Sequence, residues 1–210
     1  MSKEGAKNSD KNIKWHNITI DRRKLEKMRG HKGMVLWLTG LSGSGKSTLA
    51  NALNEYLHSK SLSTFVLDGD NIRHGLCKDL GFSDEDRVEN IRRIGEVAKL
   101  FNDSGLIVLA AFISPFLSDR KLVRDLFPEG NFLEVFIDSS LEICEQRDPK
   151  GMYKKARSGK INNFTGISSP YEKPKNPEIH LINNDARLED LSDEVIHFLI
   201  KNKYIKERRF

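Results

Sequence analysis

The stretch MVLWLTGLSGSGKST, residues 34–48, constrains this chain more than any other. MVLWLT is a continuous apolar run of the kind that forms a buried strand. Gly40-Leu41-Ser42-Gly43-Ser44-Gly45-Lys46-Ser47 then satisfies G-x-x-x-x-G-K-[ST] in full, and residues 46–60 read as a helix. The glycines let successive backbone N–H groups turn toward one anion, and the helix N-terminus adds its partial positive charge. Gly40 through Thr48 is therefore the expected ATP-binding stretch. Lys46 is expected to reach the β and γ phosphates, and Ser47 to ligate Mg²⁺. A glycine-rich turn that binds nothing is the plainer reading, and the strand–loop–helix context argues against it.

The remaining pattern fits that start. Apolar runs at 63–68, 106–113, 132–138 and 179–182 alternate with helical spacing at 84–103, 117–126, 140–147 and 188–203. Such alternation predicts an α/β chain with the P-loop kinase fold: a doubly wound, mostly parallel sheet with helices on both faces. Residues 34–205 are expected to form that one domain. Residues 1–33 read as an arm, its first dozen residues disordered, with a short helix that Asp21 can cap. Residues 150–175, basic and rich in Gly, Ser and Asn, read as loop and as a lid that excludes water; an exposed basic loop is the alternative.

The formal net charge is +5, which suits an anionic partner: nucleic acid, a membrane surface or a phosphorylated small molecule. No apolar run approaches the roughly 20 residues of a membrane span. The start MSKEGAKNSDKN has no apolar core of a signal peptide. Cys77 and Cys144 lie far apart and outside any metal-ligand spacing, so both are expected as reduced thiols in a cytoplasmic protein.

Downstream of the second apolar run stands VLDGDNIR, residues 66–73. In open α/β sheets ligands sit beyond the carboxyl ends of the strands, so Asp68 and Asp70 should face the phosphate cradle. One acid can hold the Mg²⁺ shell and the other can accept the proton of an attacking hydroxyl. Asp68 is the expected Mg²⁺-side residue, Asp70 the expected base, and Arg73 a cation for an anionic acceptor. The structural alternative makes both acids caps of a helix starting at Asn71.

Taken together, NIKWH at 13–17, the glycine loop, LDGDNIRHGL at 67–76, LGFSDEDRVENIRR at 80–93, FISPF at 112–116, CEQRDPKGMYKKAR at 144–157, FTGISSPYEKP at 164–174 and NPEIHL at 176–181 resemble the adenylylsulfate kinase family. The resemblance spans residues 13–200. It implies transfer of the ATP γ-phosphate to the 3′-hydroxyl of adenosine 5′-phosphosulfate, giving 3′-phosphoadenylyl sulfate, with Mg²⁺ and ATP as co-substrate. By position it also implies that Asp70, Arg73, Arg87, Asn90, Ile113, Ser114 and Lys150 meet the nucleotide-sulfate. Phe82 and Phe164 would sandwich its adenine, and Arg147 would lie near the ATP adenine. Ser114 matches a serine that carries phosphate in some members, and a homodimer is implied. For Phe82 alone, a core aromatic is the commoner fate. The family usually reads GFTGID where this chain has Asn163-Phe164-Thr165-Gly166-Ile167-Ser168, and Pro149 replaces an aliphatic residue. Loss of the glycine is expected to stiffen the lid, and loss of the acid to remove a charge. No cysteine precedes Cys77, so an N-terminal redox switch of the plant type is not expected, and any channelling sulfurylase partner is expected as a separate protein.

Rival readings are a P-loop kinase for a nucleoside, shikimate or gluconate, a polynucleotide kinase or nucleic-acid binder, and a regulatory protein without catalysis. The aromatic pair and the cations favour an adenine-bearing anion. The basic residues are spread along the chain, so no specific nucleic acid or membrane partner is expected. Lys46, Ser47, Asp68 and Asp70 are all intact.

Overall fold

A computed structural model describes residue 14 and residues 16–206. The expected disorder of the first dozen residues, and Trp15, lie outside the described residues. Five strands form one parallel sheet in the order β2-β3-β1-β4-β5: β1 (Met34–Thr39), β2 (Thr64–Asp68), β3 (Ile107–Ala111), β4 (Phe132–Asp138) and β5 (Ile179–Ile182). β1 is buried along its whole length because it is the central strand, which is why its sequence is continuously apolar. The strand order reverses at β1, and the loop that follows it opens onto the crevice between β3 and β4.

Alternate strand residues feed two cores. Leu36, Leu38, Leu109, Val135 and Leu181 face α2 (Lys46–Ser59) and α8 (Leu188–Lys201). Val35, Trp37, Val108 and Phe132 face α4 (Asp84–Asp103) and α5 (Leu117–Arg124). Both helix layers are thus as expected, and Trp37 stacks on Phe112 at 5.7 Å.

The arm carries α1 (Arg22–Arg29), and the Asp21 side chain caps it by accepting from the Lys24 N–H. Arg29 ties it to the Ser104 carbonyl. α3 (Gly69–Arg73) starts directly after β2, two residues earlier than the sequence suggested. Its cap is Asp68 alone, whose Oδ1 accepts from the Asp70 N–H at 3.0 Å. α6 (Leu141–Arg147) follows β4. The segment after it is not all loop. α7 (Met152–Arg157) forms there, with the Asp148 carboxylate accepting from Tyr153 and Lys154 N–H groups.

Candidate active site

One cleft of about 920 Å³ lies at the carboxyl ends of the strands. That is large enough for more than one ligand of drug size. The loop 40–45 forms its floor at one end. Gly40 cannot carry a side chain, because a Cβ would stand 2.5 Å from the Ile137 carbonyl oxygen. Gly45, at φ 97°, would place a Cβ 2.9 Å from Asn183 Nδ2. That amide in turn donates to the Ser44 carbonyl at 2.8 Å. Of the expected ATP-binding stretch, Ser42, Gly43, Gly45, Lys46, Ser47 and Thr48 line the cleft. Ser44 is fully buried, and the Leu41 side chain packs with Phe164, Tyr153 and Leu141 behind the loop.

Lys46 Nζ bonds the Gly40 and Leu41 carbonyls at 3.0 and 2.6 Å. Burial disfavours its charged form and lowers its pKa to about 8, with Cys144 and Asp68 opposing that shift. Beside it, Ser47 Oγ donates to Asp68 Oδ2 at 2.6 Å. This hydroxyl–carboxylate pair is a set of hard oxygen donors that fits Mg²⁺, which takes one or two protein oxygens and completes its shell with water and phosphate.

The other end of the cleft is the expected acceptor side. Asp70 is 63% exposed and pairs with Lys150 across the cleft mouth. Arg73 donates to the Leu80 and Gly81 carbonyls and lies 4.4 Å from the Phe82 ring centroid. Phe82 is 57% exposed, so it is not the core aromatic that its type alone favours. The polar run around it, GFSDED, leaves the ring no apolar partner to join. Arg87 donates to Thr165 and Ser169 hydroxyls at 3.1 Å each and to the Asn163 carbonyl, so it reaches the lid rather than solvent. Arg92, by contrast, pairs with Glu89 on the open helix face. Burial lowers the pKa of both Arg73 and Arg87. Asn90 is 6% exposed, and its Oδ1 has no hydrogen-bond partner among the described residues although the residue lines the cleft.

Ile113 and Ser114 form the wall between the two ends. Ser114 sits at φ 39°, and its hydroxyl, 2% exposed, accepts from Trp37 Nε1 and donates to Thr39 Oγ1. A phosphate on that hydroxyl requires the side chain to leave this network. Phe164 is largely buried, edge-on to Tyr153 at 4.9 Å, with part of its surface on the cleft. Arg147 reaches Gly43 O, Asn183 Oδ1 and Asp185 Oδ1, at the loop end of the cleft. Every expected site residue therefore lines the cleft except Gly40, Leu41 and Ser44, which shape its floor from behind.

Two residues of the site were not singled out by the sequence, although Tyr153 lies within the quoted stretch 144–157. Asn183 follows β5, and its position at a strand's carboxyl end was the available signal. Tyr153 donates its hydroxyl to the Ser42 carbonyl at 2.9 Å and so braces the loop from α7. The lid departures also have a geometry. Asn163 occupies φ 54°, a left-handed position that asparagine tolerates better than most residues. Ser168 Oγ accepts from the Phe164 N–H at 3.0 Å, so a hydroxyl closes this turn where the family usually has an acid.

The sequence model of the adenylylsulphate kinase family matches residues 32–182. The chain belongs to the adenylylsulfate kinase family. It is similar to the adenylyl-sulfate kinases of Marinobacter nauticus and Prochlorococcus marinus, 59% and 60% identical over 93% of this chain and 98% and 97% of theirs. Among solved structures it resembles the Mycobacterium tuberculosis APS kinase in complex with AMPPNP and APS. The TM-score is 0.77 at 50% identity, over 80% of this chain and 98% of that one. Its chemistry is that of an ATP-using kinase of sulfate activation, which the phosphate loop and the acceptor side of the cleft accommodate together.

Proposed function

We propose that this member transfers the ATP γ-phosphate to the 3′-hydroxyl of adenosine 5′-phosphosulfate, releasing ADP and 3′-phosphoadenylyl sulfate. One observation carries the reading. A single cleft joins a complete phosphate loop to an acceptor end that offers an exposed aromatic face and the cations Arg73, Arg87 and Lys150. Phe82 gives the adenine a stacking surface. The opposite wall is Phe164, held in place by Tyr153. The cations meet phosphate and sulfate. Asn90 Oδ1 is a buried acceptor suited to a nucleotide N–H or hydroxyl.

Gly40–Thr48 and Lys46 hold the ATP phosphates, with Arg147 near its base. Ser47 and Asp68 hold Mg²⁺, which supplies charge neutralisation on the transferring phosphoryl group. Asp70 accepts the proton of the 3′-hydroxyl. It stands at the cleft mouth, paired with Lys150. The substrates are these two nucleotides, with no nucleic acid or membrane partner. The protein is read as a cytoplasmic homodimer, on the family resemblance and on Cys77 and Cys144 being free thiols.

The test is ADP release by the purified protein with ATP, Mg²⁺ and adenosine 5′-phosphosulfate. Release at least tenfold faster than with AMP or gluconate supports the reading. Equal release with AMP or gluconate sinks it.

A further inference from the structure

Arg120 does not line the cleft, yet its side chain touches both walls of the acceptor end. It lies on α5 and is 2% exposed. Nη1 donates to the Ser114 carbonyl at 2.6 Å, Nη2 to the Glu172 carbonyl at 2.6 Å, and Nε to Glu134 Oε1 on β4 at 2.7 Å. Ser114 is the left-handed residue at the cleft wall. Glu172 is the root where the lid rejoins the domain. The same two segments are sewn together further. Glu172 N–H donates to the Pro115 carbonyl, and its carboxylate accepts from the Leu117 N–H that opens α5. Next to it, the Tyr171 hydroxyl meets Thr39 Oγ1 at 2.9 Å, and Thr39 Oγ1 donates to the Ile113 carbonyl.

A buried Arg–Glu pair is poor value for stability, since apolar residues of like volume often do as well. Its geometric content is different. A planar fork with three separate acceptors fixes their relative positions in a way that a lysine or an apolar side chain cannot. A non-glycine residue at positive φ persists only where its surroundings over-determine it. Here the Ser114 carbonyl is held by Arg120, and its hydroxyl by Trp37 and Thr39.

We infer that Arg120 is a positioning residue for the acceptor nucleotide: it holds the Ile113–Ser114 wall and the lid root in register, so that the acceptor hydroxyl is presented to the phosphate loop. The inference rests on the proposed reaction. Among the described residues the hydrogen bonds of Arg120 go to Ser114, Glu172 and Glu134, none of them on the phosphate loop, α2 or α6. Loss of the fork therefore acts on the acceptor and spares ATP.

The experiment measures steady-state ADP release with each nucleotide varied in turn, for the wild type, Arg120→Lys, and the double variant Arg120→Met/Glu134→Leu. The lysine keeps a charge beside Glu134. The double variant leaves no buried charge unpaired and so guards against simple misfolding. The KM for adenosine 5′-phosphosulfate is expected to rise about tenfold or more in both, with the KM for ATP within about twofold and the melting temperature of Arg120→Lys near that of the wild type. A wild-type KM for the acceptor in either folded variant overturns the inference. So does an equal loss for both nucleotides that tracks a fall in melting temperature. A wild type without acceptor-dependent ADP release refutes the proposed reaction instead, so the two failures are told apart.

Discussion

Replacing Asp70 by Asn separates catalysis from stability, because the structure divides the two roles between neighbouring acids. Asp68 caps α3 and accepts from Ser47, while Asp70 makes neither contact. The Asp70 side chain is 63% exposed and its partner Lys150 59% exposed. An ion pair so open to water is worth about 0–1 kcal/mol. For a chain of this size 1 kcal/mol moves the melting temperature by about 2–4 °C. Asp70→Asn should therefore melt within about 4 °C of the wild type. Its kcat should fall at least about tenfold, roughly 1.4 kcal/mol on the barrier. A positioned base contributes about 10²–10⁴-fold in general, and phosphoryl transfer lies at the low end because it depends more on positioning. Asp68→Ala is the contrasting case. It loses a cap worth about 0.5–2 kcal/mol, hence about 1–8 °C, and it shifts the Mg²⁺ dependence of the rate. The assay is coupled ADP release at saturating ATP and varied Mg²⁺, beside thermal melts of the same preparations. An Asp70→Asn protein with near-normal kcat would refute the assignment of the base.

Four further outcomes follow from the site. Phe82→Ala removes an exposed face, so the melting temperature should hold while the acceptor KM rises about 5- to 150-fold, the equivalent of 1–3 kcal/mol of base stacking, read by initial rates. Lys46 has a pKa lowered to about 8 by burial, so at pH 9 it is mostly neutral. An ATP phosphate restores its charge, and binding should take up protons at pH 9 and almost none at pH 6.5, measured by calorimetry in buffers of different ionisation enthalpy. The same shift makes burial of the charged amine a cost to the fold below pH 8, relieved as pH rises toward 10.5, because the unfolded chain then binds the extra proton. Amide exchange over residues 150–175 should slow in the complex with both nucleotides and not with an ATP analogue alone, read by mass spectrometry.

The strands and the phosphate loop were legible because each strand is a short, mostly apolar run, continuous in β1 and β3, and the glycines mark the loop after β1. α7 was not, because MYKKAR has too few apolar residues to show a helical period. What holds it is tertiary: Asp148 caps it from upstream, and Tyr153 packs between Cys144 and Phe164. The resemblance picked out residues that line the other end of the cleft, but their bonding was not legible. Arg87 as the lid's anchor depends on Thr165 and Ser169, some eighty residues away in sequence, a distance over which spacing carries no signal. Likewise Glu134 and Arg120 look like a charge in a strand and a charge on a helix until the sheet and α5 bring them to 2.7 Å.

The cations of the cleft are already bonded, and the kind of partner decides what nucleotide binding gains at each. Lys46 and Arg73 each hold two carbonyls, and Arg87 a carbonyl and two hydroxyls, all neutral groups. Exchanging a neutral acceptor for a phosphate oxygen substitutes a charged bond for an uncharged one, and a bond to a charged group is worth about 1.5–3 kcal/mol against about 1 for a neutral pair. On the proposed reaction those three sites are therefore biased toward the ligand. Lys150 instead pairs with the carboxylate of Asp70. Trading one anion for another is close to balanced, so this contact can break and re-form at little net cost. The cations bonded to neutral groups thus sit on α2, α3 and α4, inside the cleft, and the balanced one sits at its mouth, where nucleotide entry and product release require that neither state be held too tightly.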